Sequence, residues 1–241
     1  MELTRKRAQE NLILRSLPAA VLSSLLPSLA LERREIRSSI YEPDKPIRFV
    51  YFVLSGVVSV VANSEESKSV EVATIGREGF VGLPAFLGGD RTTMRAFVQI
   101  AGEVLSMGVP AFRGLCAESA ELTAIIMRYT QAFISQVAQS SACNRMHPIE
   151  ERCARWLLQT HDRVDGDTFT LTHEFLATML GVRRASVSGA ASGLQDRRLI
   201  EYERGEISIL DRRGLEKASC DCYEIIAKEY GRLLGFKPHG K

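Results

Sequence analysis

The sequence lacks any uninterrupted apolar run of the roughly 20 residues that a membrane-spanning helix requires. The amphipathic stretch at residues 1–27 is interrupted by Arg15 and Pro18, unlike the continuous apolar core of a secretory signal peptide. Charge of one dominant sign is also missing, because 31 Lys and Arg residues are balanced by 29 Asp and Glu residues. We therefore expect a cytoplasmic protein that does not bind or span a membrane. Any attraction to nucleic acid must come from a local basic patch.

Cysteines are few and irregularly spaced, so the sequence predicts no disulfide framework and favours a reducing compartment. Cys220 and Cys222 form the one close pair, and no second close pair accompanies it. Because a structural zinc site usually needs four ligands, packing or surface cysteines are favoured over a metal-binding or redox role. The five cysteines are Cys116, Cys143, Cys153, Cys220 and Cys222.

Signatures of an enzyme are missing as well. The sequence contains no GxxxxGK phosphate-binding motif and no nucleophile elbow, and its four histidines follow no metal-ligand or triad spacing. Isolated histidines are more often surface or capping residues than catalysts. The sequence therefore predicts no catalytic residue, no metal and no cofactor. The histidines are His147, His161, His173 and His239.

The sequence does contain two short helical patterns on either side of Gly181, between Thr170 and Leu194. Thr172 is suited to cap the first pattern, and apolar residues recur in both patterns at spacings of three and four. The second pattern, residues 182–194, has arginines at its N-terminal end. This arrangement is typical of a helix-turn-helix. An ordinary helical hairpin with solvated arginines would show the same periodicity.

The segment after the second pattern favours the DNA-binding alternative. Apolar and polar residues alternate in residues 200–202 and 207–210, as is typical of β-strands. Arg204-Gly205-Glu206 predicts a turn between the two strands. Asp211 is placed to cap a further helix. A hairpin in this position predicts the wing of a winged helix-turn-helix.

Short β-rich stretches separated by turns with glycine, proline and serine occupy the region between residues 31 and 107. Residues 49–54, 57–61 and 70–75 are examples, and residues 63–67 form a polar tip before the third of them. Many short strands at near-regular spacing indicate a β-sandwich or a barrel.

After Pro110 the pattern is helical, with an apolar stripe at alternating steps of four and three. The stripe is consistent with a coiled-coil dimer seam, and equally with packing on the β domain of the same chain. Because DNA readers of this kind usually bind paired half-sites, the seam is favoured. Residues 144–148 interrupt the pattern and predict a hinge, where Pro148 can begin a new helix. The predicted seam consists of Leu122, Ile126, Tyr129, Phe133 and Val137.

Together these features resemble the Crp/Fnr superfamily of bacterial transcription regulators. The resemblance covers nearly the whole chain and rests on LTHEFLATMLGVRRASV with its wing, on FVYFVLSGVVSVV and on GFVGLPAFLGG. It implies an α+β fold with an N-terminal β jelly-roll of the cyclic-nucleotide-binding type (1–115), a long connecting dimerisation helix (116–146) and a C-terminal winged helix-turn-helix (147–241). It also implies a homodimeric, sequence-specific regulator that binds a palindromic operator in double-stranded DNA through helix 182–194. An activator of this family would also contact RNA polymerase.

The same resemblance identifies where an effector would bind, and there the sequence departs from the family. Members that bind cyclic AMP place a glutamate after a glycine for the ribose hydroxyl, and an Arg-Ser or Arg-Thr pair for the cyclic phosphate. Here Leu83 follows Gly82, and Met94-Arg95 stands in place of the pair. Because a buried phosphate without charged or amide partners is costly, we expect an unknown effector other than cyclic AMP. The alternatives are a true cyclic-nucleotide-responsive regulator and a regulatory module that acts through protein contacts. The predicted effector pocket consists of Gly82, Leu83, Arg91, Thr92 and Arg95.

The resemblance also implies roles for individual residues in the DNA reader. Arg184 stands where the family has an arginine that reads guanine, a base whose O6 and N7 atoms suit a guanidinium. Ala185 replaces the glutamate that usually follows, so the operator is expected to differ at the adjacent base pair. Gly189 stands where another base-reading side chain often occurs, and Arg183 and Ser188 are expected to compensate. Phosphate contacts, which fix register without reading sequence, are expected from Thr172, His173, Ser186 and, in the wing, Arg204.

Overall fold

The computed structural model describes residues 4–63 and 69–238. His239 and residues 64–67 of the predicted polar tip lie outside these ranges. Within them, no helix combines the length and the apolar character that crossing a bilayer requires. The described part of the chain starts with three short α-helices, α1 (Arg5–Ala8), α2 (Leu12–Arg15) and α3 (Ala19–Leu25).

A β domain follows, and the described residues form two antiparallel sheets of four strands each. Its elements are β1 (Ala30–Arg34), β2 (Ser39–Tyr41), β3 (Phe49–Val53), β4 (Val57–Asn63), β5 (Ser69–Ile75), β6 (Phe80–Val81), α4 (Leu83–Phe86), β7 (Arg95–Ile100), β8 (Gly102–Gly108) and α5 (Val109–Glu118). One sheet has the order β1-β8-β3-β6 and the other the order β2-β7-β4-β5. Both sheets contribute to one apolar core, which confirms the predicted jelly-roll.

The centre of this core is aromatic. The ring centroids of Phe52 and Phe80 are 5.6 Å apart, and Phe112 of α5 lies 5.6 Å from Phe80. Tyr129, from the helix that follows, lies 5.3 Å from Phe80. Offset and tilted aromatic pairs of this kind add stability beyond the area that they bury.

The long helix α6 (Ala120–Met146) connects the β domain to the C-terminal domain. The Ser119 hydroxyl caps it by accepting a hydrogen bond from the Leu122 N–H at 3.1 Å. Residue His147 follows the helix in extended conformation, and Pro148 directly precedes the next helix, α7 (Ile149–His161). The predicted interruption at 144–148 is therefore shorter than expected, because the helix continues through Met146.

The predicted dimer seam on α6 is wrong as placed, because its side chains pack against the β domain of the same chain. The first three of the five are fully buried, the fourth is 8% exposed and the last is half-buried. Gly79 permits this packing, since an added Cβ would lie 2.5 Å from a ring carbon of Tyr129. An apolar stripe with steps of four and three can pack on a sheet as well as on a second helix. The other interpretation, packing on the β domain of the same chain, is the correct one. The five residues are Leu122, Ile126, Tyr129, Phe133 and Val137.

The C-terminal domain contains the predicted winged helix-turn-helix. Beyond α7 its elements are β9 (Thr168–Thr170), α8 (His173–Leu180), α9 (Arg184–Asp196), β10 (Ile200–Glu203), β11 (Glu206–Ile209), α10 (Arg212–Ala218) and α11 (Cys222–Leu234). The three strands form a sheet of order β10-β11-β9, and Trp156 of α7 is buried in this domain's apolar core. Helix α11 returns to pack along α6, where the Tyr230 hydroxyl donates a hydrogen bond to Gln136 Oε1 at 2.7 Å.

Candidate DNA-binding surface

Local sequence signals fix the geometry of the helix-turn-helix. The Thr172 hydroxyl accepts a hydrogen bond from the Phe175 N–H at 3.2 Å and so caps α8 as predicted. Gly181 ends α8 in the left-handed conformation, with φ of 65°, which glycine adopts without steric cost. The turn takes two further residues, Val182 and Arg183, so α9 begins at Arg184 rather than at residue 182.

One face of α9 is open to solvent, and it is the face that the sequence assigns to DNA. Arg183, Arg184, Ala185 and Gly189 are exposed, while Ser186 and Ser188 are half-exposed. A Cβ added at Gly189 would meet nothing within 4 Å. The backbone of α9 is therefore directly accessible to a binding partner at this position. The opposite face holds the helix in the core through Val187, Ala190, Ala191 and Leu194.

His173 lies where α8, α9 and the wing meet. Its ring stacks on Tyr202 of β10 with centroids 4.2 Å apart, and its Nδ1 lies 3.1 Å from the Ser188 hydroxyl. Partial burial, and secondly the charge of Arg184, lower the pKa of His173 below its usual 6.5. The imidazole is therefore neutral at pH 7 and positions α9 against the wing, an arrangement that the sequence did not indicate.

The wing is held close to α9 but leaves its tip free. The Tyr202 N–H donates a hydrogen bond to Gln195 Oε1 of α9 at 3.0 Å. Arg204 at the tip adopts a positive φ of 49°, and its side chain is 91% exposed. Glu203 Oε1 lies 3.4 Å from the Arg204 Nε, so the guanidinium has one weak partner in solvent.

The residues of the predicted effector pocket have different surroundings. Leu83 is buried in the β-domain core, and Gly82 has φ of 129° with room for no Cβ, which would lie 2.7 Å from a Val50 side-chain carbon. Arg95 instead lies beside Phe97 in a cleft of about 330 Å³ that faces α8 and that none of the other four lines.

The remaining two of those residues belong to a surface loop. Arg91 pairs with the neighbouring Asp90 at 3.6 Å, and its side chain is 59% exposed. The Thr92 hydroxyl accepts the Met94 N–H at 3.2 Å, and its carbonyl accepts the Asp44 N–H at 2.8 Å. These contacts join the loop to itself and to the turn at Asp44, so the predicted set is corrected to separate positions with separate surroundings.

The structure adds two residues to Cys220 and Cys222, for which the sequence shows no second close pair. The last turn of α6 and the residue after it bring Cys143 and His147 to the same place, and the four ligand atoms lie within 4.8 Å of one another. Sequence reasoning missed this group because 73 positions separate His147 from Cys220 and only the fold joins them.

Comparisons with known proteins agree with this architecture. The family model described as the cyclic nucleotide-binding domain matches residues 33–119, and the one described as the Crp-like helix-turn-helix domain matches residues 151–218. A global nitrogen regulator from Nostoc sp. is 23% identical over 188 residues, which cover 74% of this chain and 84% of that protein.

Solved structures share the fold. FixK2 from Bradyrhizobium japonicum is 18% identical with a TM-score of 0.68, covering 80% of this chain and 98% of its own. A CRP-family transcriptional regulator from Thermus thermophilus is 22% identical with a TM-score of 0.66, covering 78% of this chain and 96% of its own. With a cyclic-nucleotide-binding-type β domain, a long helix and a Crp-like helix-turn-helix in one chain, the protein belongs to the Crp/Fnr superfamily of transcription regulators.

Proposed function

We propose that the protein acts as a homodimer that reads a palindromic operator in double-stranded DNA with the exposed face of α9. The observation that carries the proposal is the solvent-exposed, basic N-terminal end of α9 beside the open position at Gly189. A helix with this exposed face is suited to enter the major groove. Such a regulator acts in the cytoplasm, and as an activator it would also contact RNA polymerase.

Arg184 is the residue proposed to read sequence. It is the first residue of α9 and is exposed, so its guanidinium can reach the O6 and N7 atoms of a guanine. Ala185 has no group to hydrogen-bond the adjacent bases, which leaves Arg183 to supply a second contact. Thr172, Ser186 and, in the wing, Arg204 are proposed to contact phosphates of the DNA backbone. His173 is proposed to position Ser188 through the contact with its hydroxyl, and not to contact DNA itself.

The dimer is proposed to form along the exposed face of α6, opposite the face that packs on the β domain. Met127 and Ile134 are 59% and 60% exposed on this face, a high value for large apolar side chains. They belong to a stripe that repeats at steps of three and four, in which small residues allow close approach of a second helix. The stripe consists of Ala124, Met127, Gln131, Ile134, Ala138 and Ser141.

The effector is proposed to be a molecule other than cyclic AMP. Leu83, which stands where family members that bind cyclic AMP have a glutamate, is buried, and the arginines at positions 91 and 95 have partners in Asp90 and Glu42. A cyclic phosphate would therefore have to displace existing ion pairs.

Operator binding tests the DNA-reading proposal. Selection from random-sequence duplexes should enrich a palindrome, whereas a module that acts only through protein contacts enriches none. Arg184→Ala should weaken binding to the selected operator by ~1–3 kcal/mol, roughly 5- to 150-fold, and relax preference at one base pair in each half-site. Arg33→Ala, which removes an exposed arginine from the β domain, is the matched control and should leave affinity unchanged. Unaltered base preference in Arg184→Ala would contradict the assignment.

Sedimentation equilibrium tests the proposed dimer face. Ile134→Glu places a charge in the exposed stripe proposed as the dimer face and should raise the dimer dissociation constant about 10-fold or more. Leu87→Glu changes a comparably exposed apolar residue, 65% exposed on the β domain, and should leave the dimer intact. A wild-type chain that is monomeric at micromolar concentration, or an Ile134→Glu dimer of normal affinity, would rule out this face.

A further inference from the structure

Three thiols and one imidazole meet where α6 ends and where α10 connects to α11. Cys143 is in the last turn of α6 and His147 directly follows the helix, while Cys220 lies between α10 and α11 and Cys222 is the first residue of α11. We call these four the Cys3His cluster: Cys143, His147, Cys220 and Cys222. The Cys143 and Cys220 sulfur atoms are 3.4 Å apart, and the Cys222 sulfur lies 3.4 Å from the His147 Nδ1.

The spacing of these atoms suits one tetrahedral metal ion. Zinc binds thiolate at about 2.3 Å and imidazole at about 2.0–2.1 Å, so neighbouring ligand atoms in a tetrahedral site lie roughly 3.5–3.8 Å apart. The four ligand atoms of the cluster all lie within 4.8 Å of one another. Three cysteines and one histidine are also an established ligand set for structural zinc. Small side-chain movements would close the cluster on a central ion.

The surroundings of the cluster are those that support a metal. The second ring nitrogen of His147, Nε2, lies 3.5 Å from the Asp221 carboxylate, and a carboxylate in this place orients a ligating histidine. The Gln139 amide donates a hydrogen bond to the Cys222 sulfur at 3.1 Å.

Ordinary packing does not explain the three thiols. Cys153 belongs to the apolar core of the C-terminal domain, and Cys116 packs against the core of the β domain. The cluster cysteines, by contrast, are buried as a group of their own, outside both apolar cores, with a histidine, an aspartate and a glutamine beside them.

We propose that Cys143, His147, Cys220 and Cys222 bind one Zn²⁺ ion. Binding releases the thiol protons to solvent and forms three Zn–S bonds and one Zn–N bond. The ion joins the end of α6 and the hinge residue His147 to Cys220 and Cys222 at the start of α11. Zinc thereby fixes the direction in which the DNA-binding domain leaves the long helix.

Titration of the full-length protein with Co²⁺ tests this site. After chelation under reducing conditions, the wild type should bind one equivalent of Co²⁺ per chain, with a thiolate-to-cobalt charge-transfer band that Zn²⁺ abolishes. Asp221→Asn, a change at an exposed carboxylate, should weaken metal affinity about 10- to 100-fold and keep the band. Cys222→Ser should lose the one-to-one complex, and Cys116→Ser, which lies outside the cluster, should bind as the wild type does.

Several results would overturn the proposal. One is a wild-type chain that takes up no Co²⁺ while circular dichroism shows it folded. Another is a band of equal strength in Cys222→Ser. A third is a Cys143–Cys220 disulfide in protein freshly purified without reductant, detected by peptide mapping, because the two thiols would then serve a redox pair. Because the wild-type titration needs no variant, a Cys222→Ser chain that fails to fold leaves the test intact.

Discussion

The C-terminal domain has two surfaces that differ in kind: the face of α9 proposed for DNA, and the face that packs on the β domain. The first is open, basic and built from one short segment of the chain. The second is buried, combines apolar contacts with buried polar and charged groups, and joins partners that are far apart in sequence. There Arg163 pairs with Glu78 at 2.8 Å, both side chains at most 1% exposed, and the Trp156 indole N–H donates to Glu71 Oε1 at 2.7 Å.

The difference shows how one domain separates recognition from stability. Charged groups on the α9 face remain hydrated and contribute little to folding. Charged and polar groups on the buried face have lost water and depend on each other, so removing one partner leaves the other uncompensated. Variants of the α9 face should therefore change DNA binding, and variants of the buried face should change the free energy of unfolding.

The largest effect is expected from Glu78→Ala. The Arg163 guanidinium would then be buried without its carboxylate, which costs about 3–5 kcal/mol of unfolding free energy. Denaturant unfolding followed by the fluorescence of Trp156, the single tryptophan, measures the loss.

The control for this variant replaces both charges. A double variant, Glu78→Leu with Arg163→Met, removes the unpaired charge and should recover most of the stability. If Glu78→Ala costs less than about 1 kcal/mol, the buried face does not depend on this pair and the contrast between the surfaces fails.

A smaller effect is expected from the pH dependence of Glu71. Burial raises the pKa of Glu71 to about 7, against hydrogen bonds from Ser59 and Trp156 that lower it. The Ser59 hydroxyl is 2.6 Å from Glu71 Oε2 and 2.8 Å from Gln99 Oε1, yet it has one proton to donate. A protonated Glu71 satisfies both contacts, since it donates to Ser59, which then donates to Gln99.

The direction of the change in unfolding free energy with pH follows from the difference between the folded and unfolded pKa of Glu71. The folded pKa lies above the unfolded value of 4.5, so the contribution of Glu71 to stability is full below pH 4.5 and is lost as the pH rises through about 7. The total change is on the order of 3–4 kcal/mol at most. The measurement is the unfolding free energy of the wild type minus that of Glu71→Gln between pH 4.5 and 8, because glutamine does not titrate. A difference that stays constant across this range would show that Glu71 is ionised in the folded protein.

The smallest effect on stability is expected on the open face. Arg183→Ala and Arg184→Ala should each change the unfolding free energy by less than about 0.5 kcal/mol, since both side chains are exposed. Thermal unfolding compares them with Glu78→Ala under the same conditions. A loss comparable to that of Glu78→Ala would mean that the α9 arginines hold the fold together.

Prediction from sequence succeeded where the signals are local. The Thr172 cap, the left-handed Gly181 and the wing turn at Arg204-Gly205 each depend on a few neighbouring residues, and the structure contains all three elements. The stripe on α6 was recognised as helical, but its partner was misassigned. A spacing of three and four shows that a face is buried and does not show what covers it.

The sequence by itself determined the jelly-roll strands, the long helix and the winged helix-turn-helix, because periodicity, caps and turn residues act over a few positions along the chain. Only the tertiary structure decided that Tyr129 packs on Gly79, that Glu78 meets Arg163, and that Cys143 and His147 join Cys220 and Cys222. These contacts join segments tens of residues apart, and which distant side chains share a buried space depends on how the elements pack.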